Sequence, residues 1–220
     1  YLSPESEWGG NMSEPTARAT EIETVVPGLY HWSLDDDRIG SRTHSHAVET
    51  TDGLVLIDPL PLEEDLAGEL SESSAICLTG RFHQRSAWRY QGQFEVPVYA
   101  PRKGEGYEGA PDHFYDAGDM LPGGLLVVHA PGPTDAHYVF YREHNDHRVM
   151  FIADLLIRHS SDESYRFVPS QFMDNPDITR ESVRSLLDWE IDILCSNHAP
   201  PQVGNVHDEI REALETDSGP

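Results

Sequence analysis

Two β-sheets packed face to face with helices on their outer sides, a four-layer αββα sandwich of the α/β class, is the architecture expected of this chain. Three observations carry the expectation. Short apolar runs bounded by glycine, proline or aspartate recur through both halves, as strands do. Many of these runs adjoin the next across a tight turn, so hairpins dominate. Stretches of helical period fall between them, giving each half a coarse strand-then-helix rhythm without a repeat of fixed length. At 220 residues the chain is long enough for one sizeable core.

In chain order, residues 1–20 are polar, carry Pro4, Gly9, Gly10 and Pro15, lack periodicity and read as a disordered leader to a domain over 21–220. Thr24-Val-Val-Pro27, Gly28 and Leu29–Trp32 read as a hairpin. Arg42–Thr50 alternates loosely and turns at Thr51–Gly53 into the apolar run Gly53–Asp58. Pro61–Glu69 reads as a helix: proline in its first turn, acids Glu63, Glu64 and Asp65 near its positive end, and Leu62, Leu66 and Leu70 on one face. A buried strand at Ala75–Thr79, a helix near Gln84–Tyr90 and a short strand at Val96–Tyr99 follow. Strands are expected at Leu125–Val128, Tyr138–Tyr141, Val149–Ile152 and Ile191–Cys195. Helices are expected at Thr179–Trp189, with Asp177 as N-cap, and at Val206–Leu214.

Charge is the extreme feature of the composition. Thirty-nine acidic residues face fifteen basic ones, a formal net charge of −24, and Lys103 is the only lysine. Such a surface repels phosphate backbones and anionic lipid, which argues against nucleic acid or membrane as partners. It suits either simple solubility or a salt-rich cytoplasm, where charge repulsion is screened over ~3 Å at 1 M salt. Near-absence of lysine favours the second. Cys77 and Cys195 sit in apolar runs as buried free thiols, so a reducing cytoplasm is expected. The oligomeric state is not legible.

Five segments end a predicted strand in a residue able to hold a metal or to support one that does: Gly53–Asp58, Leu78–Ser86 with His83, His129–Thr134, Phe151–Asp154 and Ser196–Pro200 with His198. Their order and spacing over roughly 21–215 resemble the metallo-β-lactamase superfamily of metal-dependent hydrolases, with most of the metal ligands replaced. The resemblance implies that Asp58 supports the ligand loop and that Thr79 opens the second segment. Asp154 and His198 match the fourth- and fifth-segment ligands, and His83 stands for a second-segment histidine after a one-residue shift. It also implies that Arg81, Arg85 and Ser86 occupy ligand positions and that Pro133, in Pro131-Gly-Pro-Thr134, replaces a histidine.

Two readings follow. The three ligands His83, Asp154 and His198 suffice for a mononuclear site, one zinc or another divalent ion, acting on an ester, thioester or lactone. Alternatively the pocket is metal-free, with Arg85 paired to Asp154 in the ion's place and a small anionic or ester-type molecule as ligand. Arg81 is either a solvated loop residue or a second cation there; Ser86, His129, Pro133 and Thr134 are expected to line the pocket. His129 is a possible substitute ligand. His44 and His46 read as a half-exposed strand face, and His31, His113, His144, His147, His159 and His207 as surface. No serine-nucleophile motif or phosphate loop is present.

Overall fold

The computed structural model describes residues 13–161 and 163–217. Seven strands form the first sheet in chain order: β1 (Glu23–Val26), β2 (Leu29–Asp36), β3 (Ser41–Thr50), β4 (Gly53–Ile57), β5 (Ser73–Cys77), β6 (Val98–Pro101) and β7 (His113–Tyr115). The second sheet contains β8 (Met120–Leu121), β9 (Leu125–His129), β10 (Tyr138–His144), β11 (His147–Ala153), β12 (Ile193–Ser196) and β13 (Ala199–Val203), in the order β13-β12-β11-β10-β9-β8. Parallel pairing runs from β4 through β7 and joins β11 to β12; the remaining neighbours are antiparallel.

Side chains alternate across each strand, and the alternation sorts the apolar residues into three layers. Val55, Ile57 and Cys77 meet Val127, Phe140, Phe151 and Cys195 between the sheets. Trp32, Leu56 and Ile76 face outward onto α1 (Glu64–Ala67) and α2 (Ala87–Phe94). Met150, Ile152 and Leu194 face the opposite way, onto α3 (Pro176–Ser185) and α4 (Val206–Thr216). The expected four-layer sandwich is present.

Local differences have physical causes. The first helix is shorter than Pro61–Glu69 because residues 61–63 run extended: Ala19 bridges Leu62, and the Ala19 amide donates to the Pro61 carbonyl at 2.8 Å. Buried Ala19, together with Glu14 bonded to Ser86, packs part of the expected disordered leader onto the domain; residues 1–12 lie outside the described residues. The third helix starts three residues early. Asn175, not Asp177, is its N-cap, accepting from the Ile178 amide at 3.1 Å with Pro176 in the first turn. Strand β13 was not foreseen, since Ala-Pro-Pro-Gln-Val reads as a turn; its prolines are tolerated because it is an edge strand.

Candidate functional site

Parallel strands deliver Asp58, Thr79, Asp154 and His198 to one end of the sandwich, where strand carboxyl ends open. Backbone irregularities aim them. Asp58, Arg85 and Ala153 have φ of 46°, 43° and 48°. The first is tolerable for aspartate; the others are strained, as residues at functional sites often are. The β11–β12 register slips between Phe151 and Ala153, a bulge that turns Asp154 off the strand axis.

Asp58 is fully buried and anchors the cluster. Its Oδ1 accepts the Thr79 amide at 2.8 Å, and its Oδ2 accepts the Thr79 hydroxyl at 2.5 Å and Asn197 Nδ2 at 2.8 Å. The Thr79 hydroxyl hydrogen is therefore committed to the bond it donates to Asp58, and its Oγ1 is left to accept from His83 Nδ1 at 2.7 Å. The other nitrogen of the same ring, Nε2, lies 2.8 Å from Asp154 Oδ2. With Thr79 Oγ1 on one side and a carboxylate on the other, both ring nitrogens face acceptors, an arrangement that favours the imidazolium form of His83. Burial alone would lower the His83 pKa, but the negative charges of Asp154 and Asp58 outweigh it and hold it raised. Burial would conversely raise the Asp154 pKa, and the His83 charge keeps it well below the carboxylate range.

Asp154 is half-buried. Its Oδ1 lies 3.3 Å from His198 Nε2, close enough for an ion pair, yet among the described residues it has no aligned hydrogen-bond partner. The Asp154 backbone amide donates to His137 Nε2 at 3.2 Å, while His137 Nδ1 donates to the Ala130 carbonyl at 2.8 Å. Those two bonds fix His137 as a neutral tautomer, and burial brings its pKa down to about 4.

His83, Asp154 and His198 thus converge as expected, but Arg85 does not pair with Asp154. Its buried guanidinium instead donates from Nη1 to the His44 carbonyl at 2.7 Å and the Asp58 carbonyl at 3.1 Å. Positive φ at Arg85 turns the side chain beneath the cluster, towards β3. Arg81 is exposed and lies over the Phe82 ring at 4.4 Å, which makes it the solvated loop residue. Ser86 bonds outward to Glu14 at 2.9 Å and has no contact with the cluster.

His129 Nε2 meets the Asp135 carbonyl at 2.7 Å and its ring packs on Tyr138. Pro133 and Thr134 belong to a loop tied to the start of α3, with the Asp174 amide donating to the Pro133 carbonyl at 3.2 Å and the Gly132 amide to that of Thr134 at 3.1 Å. No hydrogen bond joins either residue to the cluster.

The sequence reading placed His137 beside the third segment without a role, and it missed Asn197 and a buried histidine group. Asn197 sits between two segment residues, and its carbonyl accepts the His44 amide at 2.9 Å, stitching β3 to the second sheet. His31, His44 and His46 are buried between the sheets rather than exposed, and His144 is buried as well. His31 Nδ1 donates to Glu23 at 3.0 Å, and its Nε2 accepts from His44 Nδ1 at 2.8 Å. Burial, helped by neighbouring His31, pushes the His44 pKa down to about 2, and burial holds His46 well below the usual imidazole value. The signal was available: Leu29 and His31 share a strand face, as do His44, His46 and Val48, and Leu29 and Val48 are core residues.

A metal ion does not fit the donor set as arranged. His83 has no free lone pair, that of His137 is taken by the Asp154 amide, and Arg85 places a fixed cation beneath the cluster. Among the described residues no three His, Cys, Asp or Glu side chains are disposed to hold an ion.

No family model and no curated protein matches this chain. Solved structures do match. The metallo-β-lactamase TMB-1 superposes with a TM-score of 0.72 at 16% identity, covering 92% of this chain and 100% of that one. A metallo-β-lactamase from Pontibacter korlensis gives 0.72 at 16% identity, covering 90% and 99%. A di-iron-bound form of TTHA1623 gives 0.58 at 23%, covering 81% and 94%. At these identities the likeness establishes the fold, which is that of the metallo-β-lactamases.

Proposed function

We propose that this protein is a hydrolase-like member of that fold in which an imidazolium–carboxylate pair has taken the place of the metal centre, and that it binds a small anionic or ester-type molecule at the His83–Asp154–His198 cluster. One observation carries the reading: both nitrogens of His83 are committed as donors, to Thr79 Oγ1 and to Asp154. A ligating imidazole needs a free lone pair, so ion binding would require His83 to give up the proton it donates to Thr79 Oγ1 or to Asp154.

The charge inventory supports the ligand class. Asp58 and Asp154 are balanced by His83 and Arg85, so the cluster is near neutral in a chain of net charge −24. Exposed Arg81 adds a cation two residues from His83. An anionic group or polarised carbonyl is thereby spared the repulsion it meets elsewhere on the surface. His198, half-buried beside the Asp154 carboxylate, is the group best placed to meet it.

A mononuclear hydrolase is the second reading, favoured by Asp154 Oδ1, a buried oxygen without a hydrogen-bond partner. Elemental analysis of protein purified without chelator separates the two. The expected result is no stoichiometric ion and a Tm indifferent to micromolar zinc or manganese; a tightly held equivalent would overturn the metal-free reading. A parallel esterase and lactonase screen in high salt addresses turnover.

A further inference from the structure

A cavity of about 360 Å³ lies apart from the His83 cluster, against α3 and α4 on the outer side of the second sheet. Its volume falls within the ~300–1,000 Å³ of small-molecule sites. The wall is mixed. Phe167, Met173 and Pro176 supply apolar surface, while Arg166, Arg180 and Asp217 supply charge. Two of the chain's fifteen basic residues therefore face one carboxylate, in a molecule where acids outnumber bases more than twofold.

The two arginines differ. Arg180 is consumed in the wall: its Nε donates to Asp217 at 2.8 Å and its Nη1 to Asp177 at 3.1 Å. Arg166 is exposed, and its guanidinium meets only His159 Nε2 and no carboxylate among the described residues. A guanidinium with donors to spare, beside apolar surface, suits a planar anion attached to an apolar body. A single spare positive charge beside Asp217 favours a monoanion over a dianionic phosphate ester.

We infer that this cavity binds a small carboxylate bearing an apolar ring or short tail, with the carboxylate on Arg166 and the apolar part against Phe167, Met173 and Pro176. The inference is independent of the function proposed for the His83 cluster.

Calorimetric titration of the full chain with phenylbutyrate, phenylbutanol and acetate tests it, with circular dichroism confirming that each variant is folded. Phenylbutyrate should saturate one site, and the alcohol and acetate should each bind at least about tenfold more weakly, a difference of about 1.4 kcal/mol. Arg166→Gln should erase the preference for acid over alcohol while leaving alcohol binding intact. Met173→Trp, which fills the cavity, should remove both. Asp154→Asn should change neither, which separates this site from the other cluster. Absence of saturation, indifference of phenylbutyrate binding to Arg166→Gln, or its loss in Asp154→Asn would overturn the inference.

Discussion

His83 is the residue on which the chemistry turns, and its charge state is directly measurable. At pH 6, nitrogen NMR of the imidazole should show both ring nitrogens protonated; a neutral, singly protonated ring would remove the basis of the metal-free reading. Because its folded pKa is raised above 6.5, the stabilisation His83 contributes is complete below pH 6.5 and fades as pH rises through the folded value. Asp154 has the opposite sign: with its folded pKa well below 3.8, its contribution is complete above 3.8 and lost as pH falls through the folded value. Both charges are thus held between about pH 3.8 and 6.5. Asp154→Asn should cost about 3 kcal/mol in urea unfolding at pH 6, with a smaller loss once pH exceeds the His83 pKa. Arg85 is a different case. Its guanidinium satisfies two buried carbonyls, so Arg85→Met should lower stability by about 2–4 kcal/mol, and its fall should persist when Asp154 is already Asn. Strong coupling between the two variants would instead restore a direct Arg85–Asp154 pair.

Helix α3 shows at the scale of elements how one polar side chain fixes a boundary. Asn175→Ala should destabilise by about 1 kcal/mol through loss of the cap, whereas Asp177→Ala, which removes only an exposed pair with Arg180, should stay within about 0.5 kcal/mol. Equal effects would mean that Asn175 is not the working cap. The same boundary illustrates what was legible beforehand. Apolar period placed β4, β5, β10, β11 and α4 to within two or three residues at each end, because dense apolar runs admit few alternatives. It did not place β7, β8 or β13, which are two to five residues long and held by their neighbours rather than by their own pattern. At the site, spacing was enough to bring His83, Asp154 and His198 together. Contacts set by backbone conformation were not readable: a φ of 43° at Arg85 turns its guanidinium to backbone carbonyls instead of Asp154, and the pairing of β3 with its neighbours buries His44 and His46.

For the molecule as a whole, two titrations pull in different pH ranges, and their separation makes a sharp test. The charge of −24 destabilises the compact state by self-repulsion, so the Tm should rise between dilute buffer and molar potassium chloride. Acid relieves that repulsion only near and below pH 4.5, where carboxylates begin to protonate. The buried imidazoles act earlier. His44, His46 and His137 are held neutral, with folded pKa values below the 6.5 they regain on unfolding, so the unfolded chain binds more protons at pH 5.5 and stability falls as pH drops. Each group loses about 1 kcal/mol over the first unit below 6.5, or about 3 kcal/mol for the three together, a large share of the ~5–15 kcal/mol typical of a domain. Urea unfolding in molar potassium chloride, which mutes the carboxylate repulsion, should therefore show a steep loss from pH 6.5 to 5.5, where the His83 contribution is already complete. His46→Leu should flatten the loss by roughly a third, because its imidazole has no hydrogen-bond partner at Nε2 to forfeit and leucine suits its place against Phe151. A stability that holds level across that interval, or a slope untouched by His46→Leu, would mean that the inter-sheet histidines are already protonated in the native state.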